Sequence, residues 1–204
     1  KKVYYDHRFT FYCENPYEIK IVNGKEKALI IHDSKYYSLR KPFTKSGKEN
    51  IRTKRVEFEH IMPAENFGTH LSCWKEGGRK ACKNDPIFKK MEADMHNLVP
   101  SIGEVNSDRS NFRYGVDITK VGQYGQCRFE VDFKAKRAYT KEDVRGDIAR
   151  IYFYMSDKYN INLSKTERRM MEVWDKQDPI DEWERIKNKR IEKIQGNSNK
   201  FIKN

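Results

Sequence analysis

Val56-Glu57-Phe58-Glu59-His60, running through Ile61-Met62 into Pro63, is the stretch on which the fold turns. Its apolar–polar alternation has the period of a β-strand, with Val56 and Phe58 on one side and Glu57 and Glu59 on the other. A carboxylate and an imidazole thus arrive side by side at a strand end, where one can hold a metal ion and the other can activate water. Strict alternation sends His60 to the Phe58 side and Glu59 across the strand, so they converge only if the strand end twists or bulges before the proline. Farther on, Ser101-Ile102-Gly103-Glu104 has the form of a capping box, which starts a helix and sets Asn106 about one turn inside it. The Asn106 amide oxygen is a candidate ligand for the same metal. The order is strand, long insertion, strand, helix.

Within the insertion, Pro63 to Asp85 reads as irregular and carries Cys73-Trp74 and the pair Gly77-Gly78 just before Arg79. Asp85-Pro86 reads as a helix start, with the acid as N-cap and the proline in the first turn. Ile87, Met91, Met95 and Leu98 then recur at helical spacing, which puts Glu92 and His96 four apart on another face. Asn97 to Pro100 reads as a short strand. Upstream, Tyr17–Val22 leads into Asn23-Gly24, a hairpin signal, and Lys25 to Ile31 returns. Downstream, Cys127, Phe129, Val131 and Phe133 alternate with charged residues between Gln126 and Lys136, the pattern of a half-buried strand. Thr140 can cap a helix whose Val144, Ile148, Ile151, Tyr152, Met155 and Tyr159 form one stripe. Ser164-Lys165-Thr166-Glu167 is a second capping box, followed by Met170, Met171 and Trp174, and a last helix runs from near Asp181 to Gly196. The expected class is α+β with a helical C-terminal part.

With 204 residues and 13% aromatics the chain can bury one substantial core, and no Gly/Ser linker divides it, so one domain over residues 1–204 is expected. A mean hydropathy of -0.98 and the lack of an apolar run of membrane-spanning length argue for a soluble protein. The net charge of +12 favours a polyanionic partner, nucleic acid before acidic lipid or protein. Cys13, Cys73, Cys82 and Cys127 include no C-x-x-C pair, which argues against structural zinc; disulfides and buried thiols both stay open, as does any pairing. The chain opens on Lys1-Lys2-Val3 with no apolar signal region, so an exported form has had its signal removed. His7, His32 and His70 have no supporting constellation.

Three segments resemble bacterial endonuclease I: Phe58 to Gly68 (Phe-Glu-His-Ile-Met-Pro-Ala-Glu-Asn-Phe-Gly), Cys73 to Lys80, and Met91 to Asn106. The likeness continues through Ser107 to Phe112, Gly122 to Cys127 and Ala149 to Met155, and resumes weakly at Ile194 to Asn197. The resemblance implies a periplasmic or secreted, sequence-nonspecific nuclease with a ββα-metal (His-Me finger) core. It makes His60 the general base, Glu59 and Asn106 the ligands of Mg²⁺ (with Mn²⁺ or Ca²⁺ as substitutes), Arg79 the support of the scissile phosphate, and Glu92 a residue behind the base. Substrates would be DNA and also RNA, with 5′-phosphate products, cut by a monomer with no membrane role. Relatives carry further cysteines near both termini; with those lost as pairs, Cys73–Cys82 would close the arginine-bearing loop and Cys13–Cys127 would tie the first strand to a later one. Ser198 stands where the family has a histidine.

The bland readings differ in chemistry. His60 can be a satisfied core histidine, Arg79 a solvated loop cation, Asn106 a surface amide, and Glu92 with His96 an ordinary helical pair. The corresponding alternatives for the whole chain are a non-catalytic basic nucleic-acid-binding module and an interaction protein whose charge serves solubility.

Overall fold

The computed structural model describes residues 2–33, 35–116 and 122–203. Its strands are β1 (Tyr17–Val22), β2 (Lys25–Ile30), β3 (Val56–His60), β4 (Leu98–Ile102), β5 (Arg113–Tyr114), β6 (Phe129–Asp132) and β7 (Arg137–Thr140). Its helices are α1 (Ala64–Gly68), α2 (Ser72–Ala81), α3 (Pro86–Glu92), α4 (Gly103–Arg109), α5 (Arg145–Tyr159), α6 (Lys165–Gln177) and α7 (Glu182–Gln195). The class is α+β, and β3 pairs with β4 directly before α4, which gives the ββα arrangement. Contacts divide the chain into two compact units, one of Tyr4–Glu59 with Val99–Lys141, the other of Lys1–Val3, His60–Leu98 and Glu142–Asn204. The chain passes between them inside β3, after Glu59, and again inside β4, after Leu98.

The strand-rich unit holds the β1–β2 hairpin, paired antiparallel from Tyr17↔Ile30 to Val22↔Lys25. Asn23 and Gly24 both take positive φ there (52° and 70°), as a tight two-residue hairpin turn requires. A second sheet has the order β5-β7-β6, with β5 and β7 parallel and β6 and β7 antiparallel. Tyr12, Tyr37, Val105, Phe129 and Val131 are buried in this unit, and Cys13 is bonded to Cys127 across a separation of 114 residues. Phe133, expected to extend the alternation, lies past the end of β6 and is 45% exposed.

The helical unit departs most from the sequence reading. Residues 63–85 are not irregular: α1 and α2 occupy most of them, with α2 broken at Gly77 and Gly78, where Gly78 has φ 63°. The Cys73–Cys82 disulfide spans that break. Asp85 does cap α3, accepting from the Phe88 amide at 2.8 Å, but the helix ends at Glu92. Met95 instead begins a short 3-10 turn and Leu98 opens β4, so Glu92 and His96 are not a helical pair; Phe88 and Met91 are buried while Ile87 is 55% exposed. Ser101 likewise lies inside β4 and caps nothing, and Thr140 ends β7 rather than starting a helix.

α5 is buried on nearly every face, with Ile148, Ile151, Tyr152 and Met155 among its apolar contacts and Asp147 and Arg150 among its polar ones. Arg150 satisfies its guanidinium on Glu184 (2.8 and 2.6 Å), Asp175 (2.9 Å) and the Asp178 carbonyl (2.9 Å), which ties α5 to α6, α7 and the link between those two helices. Ser164 caps α6, and Asp181 with Glu184 forms the capping box of α7, which Gly196 closes at φ 83°. Among the described residues no helix is long and apolar enough to cross a membrane.

Candidate active site

β3 and α4 carry the acidic and amide groups of the strand-rich unit. Glu59 is 2% exposed; its Oε1 accepts from the Tyr12 hydroxyl at 3.0 Å and faces Arg109 Nη1 at 3.2 Å. Tyr12 in turn shares a 2.5 Å hydrogen bond with the Tyr114 hydroxyl. Burial pushes the Glu59 carboxyl up to about 7, against the opposing pull of Arg109 and Tyr12. Arg109, Tyr12 and Arg52 offset only part of that desolvation. Asn106, in the middle of α4, donates from Nδ2 to Oε2 of Glu57 at 3.0 Å. Burial also acts to raise the Glu57 carboxyl, but hydrogen bonds and charge from Arg52 and Arg55 outweigh it and hold it below the usual range.

These two residues fit a hard cation. Among the described residues the hydrogen bonds of Glu59 fall on Oε1 and those of Asn106 on Nδ2, which leaves an oxygen of each, Oε2 and Oδ1, for a further partner. A divalent ion at those oxygens would also compensate the desolvated Glu59 charge. Among the described residues there is no cluster of three or more His, Cys, Asp and Glu able to hold a metal. Mg²⁺ keeps most of its waters and takes one or two protein oxygens.

His60, Arg79 and Glu92 belong to the helical unit. The His60 ring is half-buried, 6.1 Å from the ring of Phe67, and its Nε2 lies 2.8 Å from the backbone carbonyl of Glu92 at the end of α3. A carbonyl oxygen only accepts, so Nε2 carries a proton, which leaves Nδ1 as the ring nitrogen able to take up another. The Glu92 carboxylate meets Arg79, with Nε and Nη2 both 2.7 Å from Oε1. Arg79 follows the glycine break in α2, and its side chain is 59% exposed. Thus Glu92 touches His60 through its main chain and Arg79 through its side chain. His96 lies elsewhere: it is buried, its Nε2 donates to the Asn197 carbonyl (2.9 Å), and burial lowers its pKa.

Sequence reasoning missed several contributors. Asn97 pins the chain just past His60, accepting from the Met62 amide at 2.8 Å and donating to the Met62 carbonyl at 2.9 Å, while its own carbonyl accepts from Ile61. Tyr12 and Arg109 contact Glu59, and Glu57 contacts Asn106. Only Glu57 had a visible signal, because it shares the strand face of Glu59; the others arrive from segments far away in the chain.

An α+β protein with a ββα core, a histidine at the end of its first strand and an amide-bearing helix after its second is of the ββα-metal nuclease type. The Endonuclease I family profile matches residues 1–204. The chain belongs to that family. It is 46% identical to an extracellular deoxyribonuclease of Aeromonas hydrophila over 202 residues, covering 98% of this chain and 83% of the relative. A periplasmic deoxyribonuclease of the same species is also 46% identical over 202 residues, covering 98% and 81%. Endonuclease-1 of Buchnera aphidicola subsp. Acyrthosiphon pisum (strain APS) is 50% identical over 158 residues, covering 78% and 63%.

Proposed function

We propose that this protein is a Mg²⁺-dependent endonuclease that hydrolyses phosphodiester bonds of DNA, and of RNA, with little regard to sequence. The observation that carries the reading is the 2.8 Å contact of His60 Nε2 with the Glu92 carbonyl: an acceptor there takes Nε2–H, which assigns the basic role to Nδ1. His60 takes a proton from the attacking water at Nδ1. Arg79, held by Glu92 through Nε and Nη2, keeps Nη1 to donate to a phosphate oxygen. Glu59 and Asn106 would hold the cation through Oε2 and Oδ1. When bound, Mg²⁺ supplies Lewis-acid stabilisation of the charge growing on the phosphate and on the leaving 3′ oxygen, which leaves 5′-phosphate ends. These groups address phosphate and water rather than a base edge or the 2′ hydroxyl, which is why both nucleic acids are proposed as substrates. One chain contributes the whole set, consistent with a monomer.

The relatives named extracellular and periplasmic, together with two disulfides, support work outside the cytoplasm. Incubating supercoiled plasmid with the protein, with and without chelator, tests the proposal. Nicking that stops on chelation is expected. A gel shift without nicking in either condition would select the non-catalytic binding module instead.

A further inference from the structure

Glu57 is ringed by donors. Its Oε1 accepts from Arg52 Nε (3.0 Å) and from Arg55 Nε and Nη2 (2.8 and 2.6 Å), and its Oε2 from Arg52 Nη2 and Asn106 Nδ2, the latter at 3.0 Å. Arg52 reaches onward from Nη1 to the Ser107 hydroxyl, the residue after Asn106, at 2.7 Å. The start of α4 rests on the same group: the Gly103 amide donates to the Arg55 carbonyl at 3.0 Å, and a Cβ on Gly103 would stand 2.6 Å from the Arg52 carbonyl oxygen and 3.0 Å from Glu57 Oε1. Helix, strand and the preceding turn are therefore fixed around one carboxylate.

A carboxamide has two nearly isosteric ends, only one of which can bind a cation. What decides between them is the neighbour at the other end. Glu57 offers acceptors alone, so the NH₂ of Asn106 must face it and Oδ1 must face away. Resting on the metal reading of Asn106 above, we infer that Glu57, held by Arg52 and Arg55, is the positioning residue that sets the Asn106 amide with its oxygen toward the cation. Glu57 itself is not a ligand, since both its oxygens are already taken up by these donors.

The inference is tested by a reciprocal exchange, read as Mn²⁺ affinity of the nucleic-acid-free protein by electron paramagnetic resonance of the unbound ion. Asn106→Ala sets the scale. In Glu57→Gln the single amide oxygen is claimed by the two guanidinium groups, its NH₂ turns to Asn106, and the Asn106 amide reverses. A loss of ~10- to 100-fold, like that of Asn106→Ala, is expected. Adding Asn106→Asp gives an oxygen at both ends, one to accept from the new glutamine and one for Mn²⁺, so the double variant regains affinity. Wild-type affinity in Glu57→Gln beside weakened Asn106→Ala overturns the positioning role and leaves the metal reading intact. A double variant as weak as Glu57→Gln overturns it too, and unchanged affinity in Asn106→Ala removes both. Where Glu57→Gln loses its cooperative melt, Mg²⁺ titration of the wild type gives the same answer by nuclear magnetic resonance. The Asn106 side-chain carbonyl carbon should shift while its NH₂ protons stay protected; loss of that protection on Mg²⁺ binding contradicts the inference.

Discussion

At the scale of single residues the chemistry depends on which atom of each polar side chain is already engaged. His60 presents Nδ1 because its other nitrogen donates to Glu92, and Glu59 and Asn106 each present an oxygen because a neighbour holds the opposite atom. None of this is visible in the letters Glu-His or in an isolated asparagine. If His60 is the general base as proposed, His60→Ala removes it without removing a contact to phosphate, and is expected to lower the cleavage rate by ~10²- to 10⁴-fold while DNA affinity measured without turnover stays near wild type. Turnover within a few-fold of wild type would take His60 out of the reaction. The Glu59–His60 pair was legible because the two are adjacent in the chain. The Glu57–Asn106 contact was not, because 49 residues separate its partners and no local rule joins them.

Among the elements, those with local signals were legible and those defined by tertiary contact were not. The α7 capping box and its glycine stop are written within a few residues, as is the Asn23-Gly24 turn. α1 and α2 lack any side-chain cap at their starts, and Gly77 and Gly78 interrupt the second, so no local signal marks where they begin or that the second continues. At Ser101 the sequence satisfied a capping pattern, but β4 claimed the serine and Glu104 turned to the Tyr37 hydroxyl and the Arg40 and Lys41 amides. α5 holds a further consequence. Burial, with Glu184 nearby, pushes the Asp147 carboxyl from 3.8 up to about 8, although Lys187 and Arg150 pull the other way. The folded state then keeps a proton that the unfolded chain releases, so this residue's stabilisation is complete below about pH 4 and is lost as pH rises toward 8. Asp147→Asn should flatten the fall in Tm across that window; a parallel fall in the variant would contradict the assignment. The disulfides differ in a separate way. Chain entropy gives about 5 kcal/mol for the bridge closing 114 residues and about 3 kcal/mol for the one closing 9, before native strain is subtracted. Replacing Cys13 and Cys127 by serine is therefore expected to lower the denaturant midpoint more than replacing Cys73 and Cys82; the reverse order would show that native-state strain or packing outweighs loop length.

For the molecule as a whole, charge and chemistry point to the same partner. A net charge of +12 engages phosphates through counterion release, so log affinity for DNA should fall linearly with log salt at about -0.9 per phosphate neutralised, with a slope that hardly changes with sequence. Salt-insensitive binding would place the affinity in base contacts instead. On the function proposed above, catalysis is directed at the backbone: His60 at water, Arg79 at phosphate, and nothing at a base edge. Mapping the 5′ ends of limited digests along a long mixed-sequence duplex in Mg²⁺ tests this most directly. The expected result is 5′-phosphate ends at dispersed positions, biased only by groove width and flexibility. Cuts confined to one short recognition sequence would contradict it.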